Sequence, residues 1–433
     1  MQQIPNVRIF TDGALHDGTL VIGDDGMIAG ILPATAPCHD ILLPGVVDAH
    51  VHFREPGLTH KADIASESRA AAAGGVTTVL DMPNVNPTTT TPEALMQKHE
   101  LFRQKSVVDY GLWYGITADN VEQALHDYGQ PDSPHRDEIC GFKVFLGSST
   151  GGMLMNDENL LCRLFAGTDR VIGIHSESED IIRRNRQKYI DYVTARDPHH
   201  AIPDDLPIDY HPRIRDVEAC MQTTRLAVSL AIETGARLHV CHVTTAEELD
   251  FLRKAMENAS AHITCEVTPA HLTFSQEDYR HLGTRIKCNP AIKRIQDRDA
   301  LRKALSDGTL FSVGTDHAPH LLSDKQGGSL RAASGMPSIQ YSLLTMLELH
   351  SQGLLGIDRL VSLMSTNPAS LFGYADRGAI APGMRADLVL VSDRETTTVS
   401  RQDIISKCQW SPFEGMTFHH RILGTWLKGE KIY

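Results

Sequence analysis

Two histidines one residue apart, His50 and His52 in the segment DAHVHFREPG, are the first residues whose types and spacing suggest chemistry. On an extended segment, residues i and i+2 point to the same face, so both imidazoles could grip one divalent ion. A lone His-x-His pair says little. Here it is joined by His175 in VIGIH, His242 in RLHVCH and Asp316 in LFSVGTD, each at the carboxyl end of a short apolar run. A single buried histidine is usually a core residue with its hydrogen bonds satisfied, but packing does not explain five such residues in equivalent positions. Imidazole and carboxylate ligands suit zinc, with manganese or cobalt as alternatives. Lys143, in GFKVFL, sits among Phe142, Val144 and Phe145, where an unpaired ammonium is costly. It either snorkels to the surface or is a desolvated amine able to react with carbon dioxide. Arg54, two residues beyond His52, extends the same face. Its guanidinium could hold a carboxylate at two points, or could be a surface arginine in a loop.

These residues require elements that bring strand ends together. Eight segments read as strands: VVDAH, VTTVLD, DYGLWYG, GFKVFL, VIGIH, RLHVCH, HITCEV and LFSVGTD. Amphipathic stretches follow most of them, such as 62–73 and 246–257. Eight strands alternating with helices predict an α/β fold, a (β/α)₈ TIM barrel over 46–379, with a doubly wound open sheet as the structural rival. In a barrel the carboxyl ends of the strands converge on one mouth, the usual place of an active site. Residues 1–45 and 380–433 have a different texture. Short period-two runs punctuated by Asp12-Gly13 and Asp25-Gly26, matched by ADLVLVS and RILGTWLKGEKIY, predict a small β-rich subdomain formed by both chain ends. The polar, proline-bearing stretch 186–215 reads as a long loop over one barrel face.

Composition narrows the field. Lys+Arg 41 against Asp+Glu 54 gives a net charge of -13, which argues against a general affinity for nucleic acid or anionic membranes. An anionic substrate must then be held by a few placed cations. The 8 cysteines include no CxxC pair, consistent with reduced thiols used as core fillers. With no basic, apolar leader and no run near the length needed to span a bilayer, the expected location is the cytoplasm.

The set DAHVH, FKVFL, GIHSE, HVCHV and GTDHAPH, with GAIAPGMRADLVLVS and SPFEG near the end, resembles the cyclic-amidase branch of the amidohydrolase superfamily over essentially the whole chain. That branch includes dihydroorotases, hydantoinases and allantoinases. HFREPG, Lys61 and DMPNVNP are most similar to the dihydroorotases. TPAHL and SGMPSIQ depart from the more usual patterns at their positions. The resemblance implies a two-zinc site, with His50, His52 and Asp316 on one ion, His175 and His242 on the other, and N6-carboxylated Lys143 bridging both. It implies Asp316 as the general acid/base. It gives carboxylate binding to Arg54, Asn84 and His320, and contacts with a pyrimidine ring to Asn289 and Gly335. The implied reaction is reversible opening of dihydroorotate to N-carbamoyl-aspartate in pyrimidine synthesis. Hydantoinase or allantoinase activity is the alternative, and a catalytically dead scaffold a third reading that the intact ligand set disfavours. A homodimer is the assembly the resemblance suggests. His60, His211, His262 and the pair His199–His200 match no ligand position and read as surface or packing residues.

Overall fold

The opening Asp12-Gly13 dipeptide closes a two-residue hairpin between β1 (Gln2–Thr11) and β2 (Ala14–Ile22), with Thr11 opposite Ala14 and φ of 51° and 81° at the two turn residues. Positive φ at both positions matches the right-handed strand twist, and Asp-Gly accepts it at low cost. In this computed structural model, which describes residues 1–147, 152–199, 201–258 and 262–433, the hairpin continues into β3 (Ile28–Leu32) and β4 (Ile41–Pro44).

The chain then enters eight strands that pair in parallel in sequence order. These are β5 (Val46–Val51), β6 (Val76–Asp81), β7 (Asp109–Gly115), β8 (Gly141–Phe145), β9 (Val171–His175), β10 (Arg237–Val240), β11 (His262–Val267) and β12 (Ser312–Val313). A parallel bridge from Val51 to His317 brings the first and last strands together, and the Thr315 amide donates to Asp48 at 3.0 Å across the same seam. Amphipathic helices cover the outside, including Ile64–Ala73, Val217–Thr234, Ala246–Met256 and Ile295–Asp307. The architecture is the (β/α)₈ barrel. Its interior is packed: Ala49, Leu80, Met82, Trp113, Val171 and Cys241 cluster inside, and Gly173 leaves the space that the Trp113 ring occupies.

The chain returns with β13 (Leu388–Ser392), a ribbon of β14 (Thr397–Thr398) and β15 (Thr417–Phe418), then β16 (Arg421–Leu427) and β17 (Glu430–Lys431). Strands from both ends form one seven-stranded sheet, ordered β17-β16-β13-β4-β1-β2-β3, over its own apolar cluster around Ile9, Leu20, Leu42, Leu388 and Trp426. Among the described residues no helix is long and apolar enough to cross a membrane.

The 186–215 stretch differs from its reading as a loop. Its first part belongs to the helix Glu179–Thr194, and a short helix His211–Ile214 closes it. Ser178 caps the long helix by accepting from the Ile181 amide, and Ile181, Ile182 and Asn185 form its buried side. Tyr189, Ile190 and Val193 pack only partly against the same cluster and the remaining side chains are polar and mostly exposed, so the composition resembles a loop.

Candidate active site

Every residue given a metal, catalytic or substrate role from the sequence lines one cavity of about 410 Å³ at the carboxyl ends of the barrel strands. His50 lies in β5, with His52 and Arg54 just beyond it. Asn84 follows β6, Lys143 lies in β8 and His175 ends β9. His242 follows β10, Asn289 lies beyond β11, and Asp316, His320 and Gly335 follow β12. Three of these turn out of their strands with φ in the left-handed region: Arg54 at 67°, His242 at 40° and Asp316 at 47°. Such conformations are costly for residues with side chains and cluster where function demands them.

The polar contacts fix which nitrogens face inward. His50 pairs through Nδ1 with Glu266, leaving Nε2 3.4 Å from Asp316. His52 Nδ1 lies 2.7 Å from the Asn84 side-chain oxygen. That oxygen only accepts, so His52 donates there and turns a lone pair on Nε2 toward Asp316 Oδ1, 2.9 Å away. Two acceptors in contact call for a cation between them. The electrostatics agree. Burial opposes charge on Asp316, but His50, His52 and His242 hold its carboxyl far below the ordinary range. Burial likewise opposes charge on His50, yet Glu266 raises it to about 10. The ligand atoms of His50, His52 and Asp316 lie close enough together to share one ion.

The second pair behaves similarly. His175 Nε2 lies 2.9 Å from Glu177, which also accepts from Arg215. His175 Nδ1 and His242 Nε2 converge at 3.0 Å, within the separation of about 2.9–3.4 Å expected for two nitrogens ~2.0–2.1 Å from a shared metal. His242 Nδ1 is buried without a partner. Lys143 is fully buried, with Nζ 3.0 Å from Cys241 Sγ, and forms no ion pair among the described residues. The donor set therefore fits a divalent cation at His50, His52 and Asp316, with the His175 and His242 nitrogens converging in the same cavity.

The cavity also carries cations, among them Arg54. Arg54 donates through Nε to the Pro319 carbonyl at 3.1 Å and places Nη2 3.1 Å from His320 Nε2. Burial lowers Arg54 only to about 10, so it stays charged at neutral pH. Asn289 Oδ1 is buried without a partner, ready to accept from a ligand. Buried Lys325 donates to the carbonyls of Lys287, Ala333 and Gly335 at 3.0, 2.7 and 2.8 Å, tying the Gly335 loop to the wall. Gly335 itself has φ 127°, and a Cβ there would lie 2.7 Å from the Ala318 carbonyl and 3.1 Å from His320 Cδ2. Gly335→Ala is expected to cost about 1–3 kcal/mol of stability and to raise KM by displacing His320. Thermal unfolding and steady-state kinetics on the same preparation check both.

Glu177, Glu266, Arg215 and Lys325 did not emerge from the sequence. Glu177 carried a usable signal, since it stands two residues after His175, the same spacing that linked His50 to His52. Glu266 ends an apolar strand, where an unpaired acid is costly. Nothing in the sequence marks Lys325. Of the histidines read as surface or packing residues, His60, His199 and His262 are exposed, and His200 lies outside the described residues. His211 is buried on the cavity wall, its Nε2 2.8 Å from the Cys288 carbonyl.

Comparison with known proteins gives the same picture. The Amidohydrolase family profile matches residues 213–432, and the Dihydro-orotase-like profile matches residues 39–132. Dihydroorotase of Halobacterium salinarum is 36% identical, over 94% of this chain and 92% of the relative. Dihydroorotase of Methanosarcina mazei is 33% identical over 95% and 90%. Among solved structures, the L-hydantoinase (dihydropyrimidinase) of Arthrobacter aurescens superposes with a TM-score of 0.89 at 27% identity, covering 99% of this chain and 95% of that one. With its barrel, its histidine–aspartate cluster and these relatives, the chain belongs to the amidohydrolase family, in the dihydroorotase group of cyclic-amide hydrolases.

Proposed function

We propose that the protein is a dihydroorotase, interconverting dihydroorotate and N-carbamoyl-L-aspartate in pyrimidine biosynthesis in the cytoplasm. The observation that carries this reading is the buried Arg54 guanidinium beside His320, in the same cavity as the histidine–aspartate cluster. A net charge of -13 gives an anionic substrate no general attraction, so a placed cation of this kind is what a carboxylated ring requires. Asn84 serves two ends: its oxygen orients His52, and its amide nitrogen is left for the substrate carboxylate. Asn289 Oδ1 accepts a ring N–H, and the backbone at Gly335 borders the ring.

His50, His52 and Asp316 would hold one divalent cation, His175 and His242 a second, and carboxylated Lys143 would join them, with zinc the best match to this donor set. When bound, such a pair supplies an activated water and polarises the amide carbonyl. Asp316 takes the proton of the attacking water on its carboxylate and returns it to the departing ring nitrogen. Glu266 and Asn84 keep the His50 and His52 rings oriented throughout. Ring closure uses the same residues in reverse.

The similarity to a solved hydantoinase favours a second reading, opening of an uncharged hydantoin ring. Turnover of dihydroorotate, hydantoin and allantoin by the metal-loaded protein separates the two. Dihydroorotate is expected to be preferred. Opening of hydantoin with no turnover of dihydroorotate would replace the first reading with the second.

A further inference from the structure

His317 follows Asp316 directly, yet its side chain is buried and does not line the cavity. Its backbone is the middle rung of a seam, bridging in parallel to Val51 on one side and to Met336 on the other. The His52 amide donates to the His317 carbonyl at 2.8 Å, and the Ala318 amide to the Met336 carbonyl at 3.0 Å. The segment after Gly335 is thus laid against the strand ends that carry His52 and Asp316.

The imidazole continues this attachment. Three residues beyond Gly335, Ser338 leads into the helical turn Ile339–Tyr341, which runs on into the helix Ser342–Ser351. The first amides of a helix have no intrahelical carbonyl to meet. Here two of them donate to His317 Nδ1, Ser338 at 3.0 Å and Ile339 at 3.2 Å. A main-chain N–H only donates, so Nδ1 carries a lone pair and the ring proton sits on Nε2. Nε2 donates to Glu67 Oε2 at 2.8 Å. Glu67 is buried on the helix Ile64–Ala73, and its other oxygen accepts from the Lys407 amide at 3.0 Å. The Phe53 ring stands perpendicular to the imidazole, with centroids 6.1 Å apart.

We propose that His317 is a positioning residue for substrate binding: its Nδ1 takes both amides at the start of this helix and so holds the Gly335 loop against the cavity. This rests on the reading of the Gly335 backbone as a border of the substrate ring. His317 does not touch the substrate and acts through the loop it anchors, while Glu67 orients the imidazole.

Two measurements test it. Hydrogen exchange of the metal-loaded protein without substrate reads the two bonds directly. The Ser338 and Ile339 amides are expected to be protected in the wild type and to exchange about tenfold faster in His317→Gln. That side chain can still donate to Glu67 but offers no acceptor where Nδ1 stands. His317→Asn places an oxygen there and is expected to keep most of the protection. In kinetics, His317→Gln is expected to raise KM for dihydroorotate about tenfold, with little change in kcat or metal content. His317→Asn is expected to stay near the wild-type KM. Rapid exchange of both amides in the wild type, an unchanged KM in His317→Gln, or equal losses in the two variants overturns the proposal. If the wild type does not turn over dihydroorotate, the proposed function fails, while exchange still decides whether His317 holds the loop.

Discussion

Lys143→Ala is expected to lose bound metal and activity together, with metal content falling from about two ions per chain to below one. The side chain is fully buried, surrounded by Phe145, Cys241 and the histidine cluster, and forms no ion pair among the described residues. A lysine retained there with only a thiol for a partner has to justify its burial cost. Conversion to a carbamate would do so, replacing an unpaired cation with an anion facing positive ions. Deleting it leaves His175 and His242 as the remaining donors of one ion, too few to hold it against water. Losing an effect worth several kcal/mol in the transition state corresponds to a drop in kcat of about a thousandfold or more. Metal analysis of the purified variant, alongside its melting curve, separates this from misfolding. Two retained ions in a folded Lys143→Ala protein would overturn the bridging role.

The barrel was legible because its strands are short apolar runs with clear ends. VIGIH reads as a strand ending on His175 and is one. Where the reading overran, the cause is local and chemical. RLHVCH and LFSVGTD stop short, at Val240 and Val313, because His242 and Asp316 leave the extended conformation for positive φ. In residues other than glycine such φ values are rare, and sequence pattern gives no sign of them. The same kind of turn carries the side chains into the mouth, so the misjudged strand ends are also site residues. The helix start at 62 was early for a plainer reason: Asp63 is the cap, accepting from the Ser66 amide, and the helix begins at Ile64.

The candidate site was legible as a list of groups rather than as an arrangement. Spacing along β5 predicts that His50 and His52 share a face. It says nothing of Glu266 in β11 and Asn84 in the loop after β6, which fix the two ring orientations. The loop holding Gly335 was the least readable part. It is anchored by Lys325 through bonds to main-chain carbonyls, which any sequence supplies.

Arg54→Ala is expected to give the complementary result, a protein with its full metal content and little activity on dihydroorotate. The guanidinium is buried, charged and lines the cavity beside His320. Each hydrogen bond to a charged group contributes about 1.5–3 kcal/mol, so losing a two-pronged carboxylate contact predicts a fall in kcat/KM of about 10²–10⁴-fold. Because the contact is present in both substrate and transition state, most of the loss should appear in KM. Arg54→Lys distinguishes charge from shape: a point charge retains the attraction but not the fork, so its activity should fall between wild type and alanine. Arg54 also donates to the Pro319 carbonyl, so the alanine variant needs a melting curve to show that the loop carrying His320 has stayed in place. Unchanged dihydroorotate kinetics in a folded Arg54→Ala protein would remove the carboxylate site, and with it the argument for this substrate over an uncharged cyclic amide.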